Sequence, residues 1–309
     1  MALNRSEVRR LRLFDLEQVR HQQHGQEWVP HWHHEWSFGA IVQGECSCSV
    51  AGRPFLARAG DLIAIAPGVV HTGALTASAH SGAVLVTMLY VPTAWLDQVG
   101  LAAPTRSGSA RAPVLARQAR DLISPEDVQA WLLQAIPSLA KTLRPSQCGA
   151  SDPVPSDAVR ALIGRVQSAV LAGEQTVSGL ARHCAVSRER IHRVLKQWLG
   201  MAPGNYLRAV RLHRAKQMVM NGEPVASVAA ECGFSDQAHF TRWFRRTFGY
   251  TPGDLAQAVS KQAAQTCSKR LPRERFSQSL HFGRPSRSKR SLEASKTGQF
   301  PRSRPHTAA

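Results

Sequence analysis

The 309-residue sequence has no run of about 18 uninterrupted apolar residues, which excludes an ordinary membrane-spanning helix. Its first ten residues, MALNRSEVRR, hold no apolar core of the kind a secretory leader needs. The six cysteines, Cys46, Cys48, Cys148, Cys184, Cys232 and Cys267, form no zinc-type pair of pairs. Free thiols in a reducing, cytoplasmic setting are therefore expected, with no membrane partner. Acidic residues are scarce: 21 Asp and Glu stand against 39 Lys and Arg, for a net charge of +18.

That shortage is unevenly spread. Residues 1–157 carry 13 basic and 13 acidic side chains, residues 158–258 carry 14 and 6, and residues 259–309 carry 12 and 2. A neutral front and a basic back fit a sensor joined to a polyanion binder. The stretch RPSQCGASDPVPSD, ending at Asp157, is rich in Pro and Ser and reads as a linker. Residues 259–309 are poor in aliphatics, rich in Ser, Arg and Lys, and without periodicity. They read as a disordered basic tail that adds non-specific DNA affinity by counterion release.

The most informative stretch is 225–254, two short helices around a turn. Val228 and Ala229 mark one apolar face, Cys232-Gly233-Phe234 the turn, and Ser235-Asp236 a helix start. Phe240, Trp243, Phe244 and Phe248 then recur at helical spacing and predict a buried face. The other face carries Gln237, Ala238, Thr241, Arg242 and Arg245, groups suited to reading base edges in a major groove. The pattern occurs once earlier. Leu180-Ala181…Cys184-Ala185-Val186-Ser187 matches Val228-Ala229…Cys232-Gly233-Phe234-Ser235, and Arg193, Leu195 and Gly200 match Arg242, Phe244 and Gly249 at an offset of 49 residues. One such helix pair is weak evidence, but a tandem pair in register is strong. Residues 203–221 predict the helix that joins the two.

These residues, with Phe248-Gly249…Thr251-Pro252 and the joining run Tyr206-Leu207…Arg211-Leu212…Ala215, resemble the DNA-binding domain of the AraC/XylS family of transcription regulators. Two departures stand in the first copy: Ala185 occupies the turn where the family has Gly, and Leu195 replaces a large aromatic. The resemblance implies base-facing positions at Glu189, His192 and Arg193 in copy one, and at Gln237, Ala238, Thr241 and Arg242 in copy two. Arg193 and Arg242 suit guanine, Gln237 suits adenine, and Glu189 suits either a cytosine amino group or a salt bridge to Arg193. It also implies promoter DNA and RNA polymerase as partners, a homodimer, and a role as an activator.

Residues 29–91 read as short strands separated by turns at Gly44, Gly52, Gly60 and Pro67-Gly68, a small barrel or jelly roll. His31-Trp32-His33-His34-Glu35 precedes the first strong strand, and Gly60-Asp61…Pro67-Gly68-Val69-Val70-His71 follows. Together they resemble the two motifs of the cupin fold as used in AraC-type sensor domains. His31, His33, Glu35 and His71 are then candidate effector-binding residues. Three imidazoles and a carboxylate also suit Zn²⁺ or Fe²⁺. Metal cupins, however, place their Glu where this chain has Ser37 and Phe38, so no metal and no cofactor are expected. Residues 1–28 are expected to form a short helix or arm, and 104–112 a loop. Ser124-Pro125-Glu126-Asp127 opens a helix whose stripe Val128, Trp131, Leu132 and Ala135 either pairs two subunits or covers the barrel.

The expected fold class is α+β multidomain. A cupin-like β-barrel with trailing helices spans 1–145, a linker 146–157, and an all-α domain of two helix-turn-helix units 158–258, with the tail over 259–309. The expected function is a sequence-specific DNA-binding transcription regulator that responds to a small molecule, and not an enzyme. The alternative is a metal-dependent cupin enzyme with an appended DNA-binding domain.

Overall fold

The Gly-marked turns between residues 36 and 91 do separate strands in the computed structural model, which describes residues 5–11, 16–23, 25–77, 83–143 and 155–268. The strands are β1 (Arg5–Leu11), β2 (Leu16–Gln23), β3 (Glu27–His31), β4 (Trp36–Gln43), β5 (Glu45–Val50), β6 (Arg53–Arg58), β7 (Asp61–Ile65), β8 (His71–Thr76) and β9 (Val84–Val91). Then come α1 (Thr93–Gln98), β10 (Gly108–Arg111), α2 (Pro113–Gln118) with a 3-10 turn at Ala119–Asp121, and α3 (Pro125–Thr142). The strands form two antiparallel sheets, ordered β1-β2-β9-β4-β7-β10 and β3-β8-β5-β6.

Ile41, Ile63, Ile65 and Val86 of the larger sheet share a core with Cys46, Cys48, Ala57 and Leu75 of the smaller one. The larger sheet is buried on its other face too. There Phe38, Ala40, Leu62 and Leu89 meet Trp95 and Leu96 of α1 and the stripe of α3. That stripe, Val128, Trp131, Leu132 and Ala135, is 0–3% exposed, so it covers the chain's own sheet and is not free to pair subunits. Burying the Val and Leu alone is worth about 1.5–3 kcal/mol each. Ser124 starts α3 as read: its Oγ accepts from Asp127 N, and Asp127 answers with a bond from Ser124 N.

Seven helices follow: α4 (Asp157–Leu171), α5 (Val177–His183), α6 (Arg188–Trp198), α7 (Pro203–Met220), α8 (Val225–Glu231), α9 (Gln237–Phe248) and α10 (Pro252–Ser268). One core joins Leu162, Val166, Leu180, Ile191 and Leu195 to Tyr206, Leu207 and Ala209 in the first half of α7. A second joins Val228, Phe240, Phe244, Phe248 and Leu255 to Leu212, Ala215 and Val219 in its second half. Each helix-turn-helix unit is thus built on its own half of one rod, whose 18 residues span about 27 Å at 1.5 Å per residue.

Four expectations are corrected. The amino-terminal segment is not a helix or arm but the hairpin β1–β2. Its strand character is hidden because Glu17, Gln18, His21 and Gln23, all buried, are polar. Gly108–Arg111, taken as loop, adds an edge strand beside β7. The tail does not begin at 259: α10 runs from Pro252 to Ser268, its first half seated by Leu255 and Ala258. Trp243 is only half-buried: it packs at the margin of the core, and Arg208 and Arg246 lie over its ring at 3.8 and 5.0 Å. Residues 144–154 of the expected linker and 269–309 of the tail lie outside the described residues.

The first turn bears out the departure noted at Ala185, which takes φ 52°, while its counterpart Gly233 takes φ 71°. The left-handed region costs a residue with a Cβ about 1–2 kcal/mol, against about 0.5–1 for the greater flexibility of Gly. Ala185→Gly is therefore expected to stabilise the first unit by about 0.5–1 kcal/mol, read as a higher midpoint in thermal unfolding.

Candidate nucleic-acid interface and effector pocket

Both candidate reading helices start on a side-chain cap. Ser187 Oγ accepts from Arg190 N at 3.1 Å, and Asp236 Oδ1 accepts from His239 N at 2.6 Å. α9 stops at Gly249, which takes the left-handed φ of 83°. With Ile191, Val194 and Leu195 inward on α6, the opposite face leaves Glu189, His192 and Arg193 exposed. On α9, Phe240, Phe244 and Phe248 go inward while Gln237, Ala238 and Arg242 are exposed and Thr241 is half-buried. The second set lines a surface concavity of about 640 Å³ with Arg245, Arg246 and Gln26 of the sheet domain. Glu189 and His192 line another, of about 550 Å³, with Arg188 and Pro203. All seven candidate positions thus lie on two outward faces, each carrying arginines.

Between the two sheets, His31 and His71 stand opposite each other where β3 pairs with β8, and His33 follows from the loop. Ring centroids lie 4.2 Å apart for His31–His71, 4.9 Å for His31–His33 and 5.2 Å for His33–His71. All three are buried, and burial holds their pKa values below the ordinary imidazole range, that of His71 down to about 4. Glu35 is half-buried and stands outside this cluster, and His34 is exposed. A small cavity of about 60 Å³ is lined by His31, His71, Cys46, Cys48, Trp28 and Tyr90. The two thiols, two residues apart on β5, share one strand face, with their sulfurs 3.3 Å apart. Cys184 and Cys232 are buried free thiols.

Sequence reasoning missed a third arrangement, where the sheet domain meets α7 and α9. Lys216 Nζ lies 3.1 and 3.0 Å from the two oxygens of Glu17, and Tyr250 donates its hydroxyl to Glu17 Oε1 at 2.5 Å. Arg10 stands 3.9 Å from the same carboxylate. The Lys216 ammonium faces the rings of Phe248, Tyr90 and Tyr250 at 5.0–5.9 Å. Alongside, Ser6 Oγ donates to the Gly249 carbonyl at 2.7 Å. A Cβ at Gly249 would come within 2.6 Å of His21 and Trp28, so this glycine permits the close approach as well as the helix stop. Trp32 stacks on His213 of α7 at 4.9 Å and on Tyr206 at 5.3 Å. One signal was present: His213 and Lys216 fall on the same α7 face as Leu212 and Val219, where an apolar residue is expected.

Comparison with known proteins places both halves. Residues 14–156 match the AraC-like ligand binding domain, and residues 180–258 match a helix-turn-helix domain. The regulator ArgR of Pseudomonas aeruginosa is 32% identical over 108 residues, 35% of this chain and 31% of that protein. The activator RhaS of Escherichia coli is 38% identical over 87 residues, 28% of this chain and 31% of that protein. The chain thus spans about a third of the length of these relatives. ToxT of Vibrio cholerae has 11% identity and a TM-score of 0.46 over 83% of this chain and 98% of its own. Among the described residues no helix is long and apolar enough to cross a membrane. Both matched domains bind rather than catalyse, so the enzyme alternative is set aside. The chain belongs to the AraC family of transcriptional regulators, a ligand-binding sheet domain followed by a helix-turn-helix DNA-binding domain.

Proposed function

We propose that the protein regulates transcription by placing α6 and α9 in successive major grooves on one face of promoter DNA, under control of a small effector held in its sheet domain. The carrying observation is mechanical: two capped helices with exposed polar faces are each packed into a core that contains half of α7. A rod of about 27 Å plus the helices at its ends is commensurate with the roughly 34 Å turn of DNA. Glu189, His192 and Arg193 read one half-site and Gln237, Ala238, Thr241 and Arg242 the other. The sheet domain takes the cupin-like sensing role with His31, His33 and His71 in its wall, over residues 1–145, and residues 158–258 form the reader. A cytoplasmic activator that contacts RNA polymerase fits this reading. A homodimer would use a surface other than the covered stripe of α3.

Selection of bound sequences from a random DNA pool tests the reading. Two boxes whose centres lie about one helical turn apart are expected, and a single box would contradict it. Arg242→Ala is expected to weaken the selected site by about 1–3 kcal/mol and to relax one base position in the second box. Equal losses on selected and random DNA would show that Arg242 only touches phosphate.

A further inference from the structure

The Nδ1 atoms of His31 and His71 lie 2.8 and 2.9 Å from the carbonyls of Val29 and Val69, each two residues upstream. A carbonyl only accepts, so each Nδ1 carries the proton and each Nε2 is left with a free lone pair. His33 Nδ1 is buried without a hydrogen-bond partner. Among the described residues no hydrogen bond joins the three rings, yet one nitrogen from each lies within 4.8 Å of the others. The backbone bonds leave the Nε2 lone pairs of His31 and His71 available to a guest, and the unpartnered His33 Nδ1 gives the third ring no competing hydrogen bond at that atom. The backbone bonds at His31 and His71 fix tautomer and ring direction as outer partners do at metal centres.

We propose that His31, His33 and His71 bind a divalent transition-metal ion of the zinc type, and that this ion is the signal the protein senses. The second half rests on the regulatory reading above. The guest must be small: the neighbouring cavity measures about 60 Å³, against about 300–1,000 Å³ for pockets that hold organic ligands. Tetrahedral coordination at 2.0–2.1 Å sets nitrogens about 3.3 Å apart. The rings therefore close inward slightly, and a water or small anion completes the fourth position. No carboxylate belongs to the cluster, which disfavours Mg²⁺ and Ca²⁺ and favours ions that accept imidazole.

The site also touches the reader. The His33 ring lies 4.4 Å from Tyr90 and 6.3 Å from Phe248 of α9, both of which face the Lys216 ammonium. A dication here raises the positive charge beside Lys216 and presses against the docked position of α7. Metal binding is thereby linked to the seating of the reader on the sheet domain.

The test uses the full chain, stripped with chelator and titrated with Zn²⁺ and with Co²⁺. One ion per chain is expected, with the visible absorption of tetrahedral Co²⁺. His33→Gln and His71→Gln are each expected to lower affinity by at least about 10–100-fold, the loss that even an outer partner causes. The exposed His34→Gln serves as control and is expected to bind as the parent does. Far-ultraviolet circular dichroism confirms that each variant is folded, and the parent Co²⁺ spectrum stands without any variant. Absence of stoichiometric metal, or binding unchanged in both His33→Gln and His71→Gln, overturns the site. DNA affinity measured with and without Zn²⁺ tests the signal, and a difference is expected. Metal bound with DNA affinity unchanged overturns the sensing half alone, whereas metal bound by a chain that selects no DNA sequence overturns the regulatory reading and leaves the site standing.

Discussion

Glu17→Leu is expected to lower stability by about 3–5 kcal/mol, and adding Lys216→Met to recover most of that loss. The side chains of Glu17 and Lys216 are only 3% and 7% exposed. Removing the carboxylate leaves an ammonium with no opposite charge in an enclosure of aromatic rings. Cation–π contact with those rings offsets the loss only in part, at about 0.5–2 kcal/mol. Removing both charges replaces the pair by apolar volume, which is often neutral or stabilising. The Tyr250 hydroxyl then lacks its acceptor and Arg10 loses one carboxylate contact, so a remaining deficit of about 1–3 kcal/mol should shrink with Tyr250→Phe. Urea unfolding of the single, double and triple variants gives the cycle. A loss below about 1 kcal/mol in Glu17→Leu, the range of exposed pairs, would falsify the buried docking of the two domains.

The same cycle bears on function. Glu17 is on β2 of the sheet domain, Lys216 on α7, whose two halves carry the helix-turn-helix units, and Tyr250 just beyond α9. Val8, Val19 and Tyr90 of the sheet domain belong to the core of the second unit, and Trp32 to the core of the first. The sheet domain therefore packs against both halves of the reader, on α7 and also on α9 and α10. An effector that changes this grip changes both recognition helices at once, because neither unit has a core without its half of α7.

What the sequence made legible follows from where its signals are local. β4 to β7 and β9 were readable because apolar runs are cut by glycines that take positive φ at 44, 52, 60 and 68. The two reading helices were readable because caps, aromatic spacing and repetition all lie within about twenty residues. β1 and β2 were not readable. Their buried polar groups are satisfied at long range, as when Gln18 Nε2 donates to the Leu122 carbonyl 104 residues away, and a hydrophobic pattern cannot register that. Glu17 finds its partners 199 and 233 residues further on, so the interdomain cluster existed only as two oddities, a lysine and a histidine on the core face of α7. Glu35 shows the opposite failure. Its closeness in sequence to His33 suggested a shared site, but the chain leaves strand geometry after His31, and Glu35 stands outside the cluster of rings.

Acid is expected to unfold this protein steeply, beginning near pH 6.5. Burial holds His21 and His213 at about 3, against 6.5 for exposed imidazole. Their folded values are depressed, so the unfolded chain takes up protons that the folded chain refuses. The resulting stability is fully present above pH 6.5 and is lost as pH falls toward the folded values. Each group contributes a slope of up to about 1.4 kcal/mol per pH unit, and the pair up to about 3, against a total stability of about 5–15 kcal/mol. His31, His33 and His71 are depressed in the same direction and steepen the loss. Urea unfolding at pH 7.5, 6.0 and 5.0, with chelator present to keep metal out of the comparison, measures the slope. His213→Phe keeps an aromatic ring between Trp32 and Phe248 and removes both the unpartnered Nε2 and the ring hydrogen bond to the Trp32 backbone. It is expected to reduce the slope by about one proton, close to 1.4 kcal/mol per pH unit. An unchanged slope in His213→Phe would mean that His213 is solvated, and that the face of α7 bearing it is not seated against Trp32.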